Sequence, residues 1–268
     1  MSGTIALLTD FKFQDPFIGV MKGVIYGINP DAKIVDLAHN LPSFDVRHAA
    51  FILKISYRYF PQGTVFCCVV DPGVGTTRRG IAIKTRNYYF VGPDNGCLSL
   101  AAFEDGIVTV VELKNREFML PEISTTFHGR DIFAPVSAYI SRGVPLSVLG
   151  PQVDPGSLVR IELKPPKISE DEYEVEVIAT DGFGNIFLNI PTESFKEPLG
   201  TKVIIKTKNK TLQAIVGRTF GDVSPKNLVL LKETSHGYLE LAANMASARE
   251  ILGVSPGDIV IIKIKDKN

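Results

Sequence analysis

Apolar and polar residues alternate along roughly the first 160 residues of the chain in blocks of two kinds. Short apolar runs predict six strands, over residues 5–8, 33–37, 65–70, 81–84, 88–91 and 108–113. Apolar residues at helical spacing predict three helices, over residues 17–28, 44–59 and 131–142. Strands that alternate with helices are typical of an α/β layer architecture with a mostly parallel sheet.

Two of the predicted helices have recognisable ends and faces. Val20, Val24 and Ile28 recur at helical spacing in the first helix, which we expect to stop at Asn29-Pro30. We expect Ser43 to be the N-cap of the second helix. Its predicted buried face consists of Val46, Ala49, Ala50, Leu53 and Tyr57.

A stiff Pro165-Pro166 pair between two lysines marks a change of pattern, and a second domain is predicted to begin near Ile168. Short strand-like runs separated by Gly, Asn and Pro turns follow, at residues 173–179, 202–206, 211–216, 228–231 and 258–264. One short helix is predicted at 246–252. The pattern indicates an antiparallel sheet or small barrel. The predicted domains are therefore residues 1–165 and 168–268.

The composition narrows the classes of function. The 268 residues are 45% hydrophobic and 22% charged, which excludes a disordered chain and a coiled coil. Lys plus Arg and Asp plus Glu each number 29, so no net charge attracts nucleic acid or an anionic membrane, and a small molecule is the expected partner. Cys67, Cys68 and Cys97 lack metal spacing and are expected to be buried, reduced thiols. With no leader pattern and no run of about 18 apolar residues, we predict a cytoplasmic protein.

Three polar turns follow the first, third and fifth predicted strands, at Thr9-Asp10, from Asp71 onward, and at residues 92–96. Asp and Asn also stabilise turns through their own side chains, so each turn alone is open to a structural explanation. Ligands collect at the carboxyl ends of parallel strands, and we expect the three turns to share one rim.

The turn from Asp71 to Arg79 joins an acid, two glycines and two arginines, and its Pro-Gly-x-Gly sequence allows close approach of the backbone to a ligand. His128 stands among small polar residues before a predicted helix, where the helix dipole favours a neutral imidazole. A simpler alternative is that His128 or Asp131 caps that helix. For His39, His48 and His236 we expect roles in packing, turns or solvation.

The sequence does not match the common catalytic motifs, because residues that they require are absent at the required spacing. Gly75 and Gly80 match the glycines of a phosphate loop, but Ile81 and Ala82 stand where Lys and Ser or Thr are needed. Gly73-Val74-Gly75 begins a dinucleotide fingerprint, yet Arg78 occupies the third glycine position. The sequence has no HExxH, no GxSxG and no paired metal-ligand motif, so we predict no metal site.

Several strings together resemble the S-adenosyl-L-methionine (SAM) hydrolases, the adenosine-forming SAM hydroxide adenosyltransferases that are related to fluorinases and chlorinases. The resemblance runs from Thr9-Asp10-Phe11 to Ala248. It is carried by five strings in the family's order: VVDPGVGTTRR, FVGPDNG, STTFHGRDIFAP, DGFGNIFLNI and YLELAANMASA.

This resemblance implies an N-terminal α/β/α domain, a C-terminal β-barrel domain and a homotrimer with active sites between subunits. It implies SAM as substrate, adenosine as product and no cofactor. Asp71, Arg78 and His128 match the family's water-activating triad. The implied substrate-binding residues are Asp10 for ribose, Phe127, Asp181 for the methionine portion, Phe183 and Asn185 for adenine, and the segment Asn244, Met245 and Ala246.

One departure from the family pattern is Lys12, which stands where a glycine usually follows Asp-Phe. It concerns the geometry of this loop and not the reaction. Two alternatives stay open: a halide-dependent adenosyl transferase and a non-catalytic nucleoside-binding protein. Halide-using relatives have tyrosines at the positions of Asp71 and His128, together with a loop insertion for which this chain has no room.

Overall fold

The computed structural model describes residues 3–265 and divides the chain into two compact units. Unit 1 ends at Glu162, and unit 2 begins at Leu163. The strands of unit 1 are β1 (Thr4–Thr9), β2 (Lys33–Ala38), β3 (Val65–Val69), β4 (Gly80–Thr85), β5 (Tyr89–Pro93) and β6 (Ile107–Glu112). Its α-helices are α1 (Phe17–Ile28), α2 (Val46–Ser56), α3 (Ser99–Asp105) and α4 (Ala134–Ser141).

Unit 1 is an α/β/α sandwich around a sheet in the order β2-β1-β3-β5-β4-β6. The pairs β1–β2, β1–β3 and β3–β5 are parallel, whereas β4 runs antiparallel to both of its neighbours. Side chains alternate between the two faces of a strand, so β1 sends Ile5 and Leu7 to one core and Ala6 and Leu8 to the other. Helices α1 and α4 cover the first core, and α2 and α3 cover the second.

The predicted helix over residues 17–28 is confirmed as α1. Ile18, Met21 and Ile25 are buried, Val24 and Ile28 pack at the edge of the core, and Val20 is exposed. The helix carries apolar residues on more than one face, and only some of them pack against the core.

The second helix begins later than predicted. Phe44 has a φ of +67°, which is incompatible with an α-helix, and Asp45 is the N-cap. The Asp45 carboxylate accepts a hydrogen bond from the backbone N–H of His48 at 2.9 Å, so the prediction of Ser43 was wrong. The predicted buried face is confirmed, since Ala49, Leu53 and Tyr57 are buried. The chain continues into a short 3₁₀ turn at Tyr57–Tyr59.

The prediction of free, buried cysteines is confirmed. Cys67 and Cys68 are neighbours on β3 and contribute to opposite cores, and Cys97 lies in the same core as Cys68. Burial raises the pKa of the Cys67 thiol to about 12, because a thiolate is poorly solvated there.

Unit 2 is a closed seven-stranded β-barrel with one additional strand. The barrel strands are β8 (Glu172–Thr180), β9 (Ile186–Pro191), β10 (Lys202–Lys206), β11 (Thr211–Gly217), β12 (Leu228–Leu231), β13 (Tyr238–Ala243) and β14 (Ile259–Ile264). Their order is β8-β9-β13-β12-β11-β10-β14, and pairing of β14 with β8 closes the barrel. Strand β7 (Lys167–Ile168) pairs with β8, and α5 (Ala248–Leu252) follows β13.

The barrel prediction holds with one correction to its strand directions. The pair β11–β12 is parallel, and every other pair in the barrel is antiparallel. Residues 218–227 connect these two strands. Because parallel strands begin at the same end of the sheet, the connection returns the chain from the end of β11 to the level where β11 began, which a tight hairpin cannot do. The interior is filled by aliphatic side chains of all seven strands, together with Phe195.

Phe66 provides a test of the packing beneath the site. It is 1% exposed on β3, stacks on Phe90 with ring centroids 5.3 Å apart, and contacts Phe60 and Tyr88 edge-to-face. Phe66→Ala should lower the free energy of unfolding by about 3–5 kcal/mol, because it leaves a cavity among rigid rings. Urea titration followed by circular dichroism measures the change. The control Val108→Ala, at an exposed position on β6, should change it by less than about 1 kcal/mol; equal losses in the two variants contradict the packing argument.

Candidate functional site

The three polar turns lie along one edge of the sheet in unit 1, as predicted. Strands β1, β3 and β5 are adjacent and parallel, so their carboxyl ends, where the turns begin, point the same way. A hydrogen bond links two of the turns directly: the Asn95 side-chain amide donates to the carbonyl of Val70 at 2.8 Å. Strand β3 lies between β1 and β5, so Asp71 is on the middle turn of the three.

Arg78 connects Asp71 and His128, the residues that the resemblance implies as a triad. Its Nε donates to both carboxylate oxygens of Asp71, at 3.0 and 3.1 Å, and its Nη2 contacts Oδ2 as well. The same Nη2 lies 2.7 Å from Nδ1 of His128. The side chains of Asp71 and Arg78 are only 5% and 12% exposed, so little water competes for these bonds. The structure thus brings all three predicted residues together.

Gly75 explains how two distant segments meet at this point. It has a φ of +75°, and a Cβ placed on it would lie 2.3 Å from the carbonyl oxygen of Thr125. Only glycine combines this backbone conformation with so close an approach. The contact brings the Asp71 turn against the segment that carries His128.

The His128 segment is closed by its own hydrogen bonds. The buried carboxylate of Asp131 accepts from the backbone N–H of Ser124 at 2.8 Å and pairs with Arg130. The hydroxyl of Ser124 accepts from the N–H of Phe127 at 3.0 Å. A single π-helical turn, Gly129–Phe133, then precedes α4, so the predicted helix 131–142 begins later as an α-helix. Such turns are frequent at functional sites.

Helix capping does not account for His128 or Asp131. The His128 side chain makes no capping hydrogen bond, and its ring nitrogen faces Arg78 instead. Asp131 binds Ser124 and Arg130 rather than the free amides of a helix end. The capping alternative considered from the sequence is therefore wrong for both residues.

Electrostatics keep His128 neutral. Burial lowers its pKa, and the adjacent guanidinium of Arg78 lowers it further. The carboxylates of Asp71 and Asp131 and a hydrogen bond to the backbone of Ser124 act in the opposite direction. A guanidinium has no acceptor atom, so Nδ1 must accept from Arg78 and the ring proton resides on Nε2. The neutral ring of His128 thereby lies beside a cation whose charge Asp71 balances. This arrangement can orient and stabilise a small anionic or polar oxygen nucleophile.

Asp10 and Phe127 occupy defined places near this edge. Asp10 directly follows β1, and its Oδ2 accepts from the backbone N–H of Phe44 at 2.7 Å. Phe127 packs edge-to-face with Phe11 and Phe17, at centroid distances of 5.7 and 5.2 Å, and Arg130 lies over its ring. Phe17 was not predicted to lie at this site, because in the sequence it is one more apolar residue at the start of a helix.

The remaining predicted substrate-binding residues line one cleft of unit 2. The cleft has a volume of about 870 Å³, which is the size of a small-ligand site. The predicted residues at its wall are Asp181, Phe183, Asn185, Asn244, Met245 and Ala246. Phe183 is 83% exposed, and the nearby Phe220, which the sequence analysis missed, is 41% exposed. Two exposed phenylalanines at one cleft suit a flat aromatic ligand.

Asp181 organises the turn at this cleft. Its Oδ1 accepts from the backbone N–H groups of Phe183 and Asn185, both at 2.9 Å, and its Oδ2 accepts from the Asn185 side-chain amide at 2.8 Å. These bonds present Phe183 outward and hold Asn185 inside. Gly184, with a φ of +84°, allows the chain to pass within contact of Ser247.

The other histidines differ from one another in environment. His39 and His48 are buried, as a packing role predicts. His236, by contrast, lines the cleft and lies 3.1 Å from Oε2 of Glu240. In the sequence, His236 precedes Gly237 in an apparent turn, and this pattern does not distinguish it from a surface histidine.

Over residues 3–265, no helix combines the length and the apolar character needed to cross a membrane. Within the same residues, no three His, Cys, Asp or Glu side chains group in a way that suits a metal ion.

Together the fold and the site define a two-domain α/β and β-barrel protein with a charged side-chain cluster at a sheet edge and a ligand-sized cleft in the barrel. The chain belongs to the SAM hydroxide adenosyltransferase family: the family's N-terminal domain matches residues 5–150 and its C-terminal domain matches residues 175–261. The family resemblance inferred from the sequence strings is therefore confirmed.

Individual relatives cover nearly the whole chain. An (R)-S-adenosyl-L-methionine hydrolase of Salinispora tropica is 40% identical over 255 residues, which are 95% of each chain. A fluorinase of Nocardia brasiliensis is more distant, at 28% identity over 289 residues, with 97% of this chain and 96% of the fluorinase covered. The crystal structure of a conserved protein from Thermotoga maritima superposes with a TM-score of 0.91 at 39% identity, covering 97% of this chain and 99% of that one.

The charge arrangement predicts how His128 titrates. Its pKa should lie below the ordinary value for histidine and should rise in Arg78→Met, because that change removes a cation and releases the carboxylate of Asp71. NMR titration of the histidine ring protons measures both values, and His39, which does not contact Arg78, is the internal control. A pKa for His128 that does not change in Arg78→Met contradicts this account.

Proposed function

We propose that this protein hydrolyses S-adenosyl-L-methionine to adenosine and L-methionine, and that Asp71, Arg78 and His128 position and activate the attacking water. The hydrogen-bonded arrangement of these three side chains around one guanidinium supports the proposal most directly. Membership of the SAM hydroxide adenosyltransferase family and the relatives named SAM hydrolases support the substrate and the reaction.

The reaction suits these side chains. The sulfur of SAM is a sulfonium, so C5′ of the ribose already carries a good leaving group. The water oxygen forms a bond to C5′, the carbon–sulfur bond breaks, and its electron pair remains on sulfur as the neutral thioether of methionine. The water gives up one proton to solvent. Alignment of the nucleophile in a site with little water then contributes most to the rate.

Each member of the triad has a separate role in this proposal. Arg78 favours hydroxide over water as the bound nucleophile, because its positive charge stabilises the developing anion. His128, neutral and protonated on Nε2, donates to the nucleophile's oxygen and fixes its direction. Asp71 holds the guanidinium in place and balances its charge, so the cationic substrate is not repelled.

Substrate binding divides between two parts of the chain. In unit 1, Asp10 takes the ribose hydroxyls and Phe127 borders the reacting carbon. In unit 2, Phe183 and Phe220 offer aromatic faces to adenine, and Asn185 and the backbone of residues 244–246 offer polar contacts. The domain prediction assigns the unit 2 contacts to a neighbouring subunit. We therefore propose a homotrimer whose sites join two copies, working in the cytoplasm without a cofactor.

The halide-dependent alternative has a direct test. The protein incubated with SAM in halide-free buffer should release adenosine and methionine in equal amounts, since water alone is the second substrate. Liquid chromatography with mass detection identifies the nucleoside. Adding chloride should leave the rate and the product unchanged. Turnover only after chloride addition, with a chlorinated nucleoside as product, would establish the transferase and exclude hydrolysis.

Variants of the triad separate catalysis from nucleoside binding. Asp71→Ala and His128→Ala should each reduce kcat by about 10²-fold or more, because the nucleophile loses its orientation and charge stabilisation. Adenosine binding, measured by calorimetry, should remain within about threefold of the parent, since neither residue is assigned to the nucleoside.

Glu117→Gln is the matched control, since it removes an exposed carboxylate in the short 3₁₀ turn Arg116–Phe118 of the same unit. It should leave both quantities unchanged. Parental turnover in Asp71→Ala and His128→Ala would remove the triad assignment. An absence of turnover in the parent protein, with adenosine still bound, would instead support a non-catalytic nucleoside-binding protein.

A further inference from the structure

Two loops of unit 1 are joined around Asp10 by a set of hydrogen bonds. The first loop, residues 9–12, follows β1, and the second, residues 39–44, precedes α2. The hydroxyl of Thr9 bonds Nδ1 of His39 at 2.9 Å, and the backbone N–H of Lys12 donates to the His39 carbonyl at 3.0 Å. The Nζ of Lys12 donates to the carbonyl of Leu41, and the N–H of Phe44 donates to Oδ2 of Asp10 at 2.7 Å.

The base of this connection is rigid. Thr9 and His39 are buried, and His39 also bonds Asp36 through Nε2 at 2.9 Å. Burial lowers the pKa of His39, which favours the neutral ring. The two loops are therefore fixed to each other at one end by buried groups. At the other end, the half-buried side chain of Lys12 donates to the carbonyl of Leu41, whose own side chain is buried in the second core.

Lys12 adopts a conformation that lysine rarely takes. Its φ is +64°, in the left-handed region that favours glycine, and Phe44 in the opposite loop has a φ of +67°. A glycine would adopt this backbone conformation without strain. Lysine adds an ammonium group that reaches the second loop, so the substitution supplies a bond that glycine cannot make.

We propose that Lys12 is a positioning residue for Asp10: its ammonium holds the second loop, whose Phe44 N–H orients the Asp10 carboxylate toward the ribose hydroxyls. This inference rests on the proposed function, which assigns Asp10 to the ribose. The position of the Asp10 carboxylate then depends on two hydrogen bonds and the backbone between them. Lys12 holds the carbonyl of Leu41, the loop continues to Phe44, and the N–H of Phe44 bonds the carboxylate. Lys12 itself needs no contact with the substrate.

A pair of ligands separates this role from a general effect on the fold. Adenosine has both ribose hydroxyls, and 2′,3′-dideoxyadenosine has neither. In Lys12→Met, the dissociation constant for adenosine should rise about five- to tenfold, the usual worth of one hydrogen bond. The constant for the dideoxy analogue should not change. Calorimetry of the full chain measures both.

Three further variants complete the design. Lys12→Gly relieves the backbone conformation yet lacks the ammonium, so it should weaken adenosine binding as Lys12→Met does. In an Asp10→Ala background, Lys12→Met should have no further effect, because the group it positions is gone. Lys114→Met, which removes an exposed ammonium paired with Glu112, should bind both ligands like the parent.

The outcomes distinguish the two levels of the inference. Equal weakening of both ligands by Lys12→Met, or the same weakening in the Asp10→Ala background, overturns the positioning role and leaves the proposed function standing. If Lys12→Gly binds adenosine with the affinity of the parent protein, the positioning role is overturned too, since the ammonium is then dispensable. If the parent protein binds both ligands equally, the assignment of Asp10 to the ribose fails, and the role of Lys12 fails with it.

Discussion

The guanidinium of Arg78 is the group on which the arrangement of the site depends. It donates to both oxygens of Asp71 and to Nδ1 of His128, and its planar fork fixes the directions of all these bonds. A lysine at this position offers one charged point and no such geometry. Because the ion pair is largely removed from water, loss of either partner would leave an unbalanced buried charge. The turn, the glycines and the His128 segment all serve to bring these groups into reach.

The surrounding structure makes this contact possible through close backbone approach. Gly75 lets the Asp71 turn touch the carbonyl of Thr125, and the bonds of Ser124 and Asp131 close the segment between them. Strand β3 leads into the Asp71 turn, and a π-helical turn directly follows His128. The side chains that do chemistry thus extend from loops whose ends are fixed by buried elements, which limits the motion of each to a small range.

The sequence predicted the layers and the shared rim, because strand ends and turn chemistry leave strong local signals. The grouping of Asp71, Arg78 and His128 was implied by the family resemblance and not by these local signals. Strands β9 and β13 and helix α3 were not predicted as elements, since each merges with a turn motif in the sequence. The start of α2 was wrong because the positive φ of Phe44 depends on contacts with the Asp10 loop. Phe17 and Phe220 could not be recognised, since an exposed phenylalanine at a site has the same local pattern as one at any surface.

The charge of the triad bears on the choice of substrate. Asp71 and Arg78 cancel, and a neutral His128 leaves the cluster without net charge, so a sulfonium can approach it. In the proposed reaction, protonation of His128 would place a second cation beside the reacting carbon and repel that substrate. The pKa of His128 is lowered first by burial and then by Arg78, so the residue that we propose to stabilise an anionic nucleophile also keeps its neighbour uncharged. In the proposed mechanism, one guanidinium therefore supports both the nucleophile and the binding of a cationic substrate, which a cluster of uncompensated positive groups could not do.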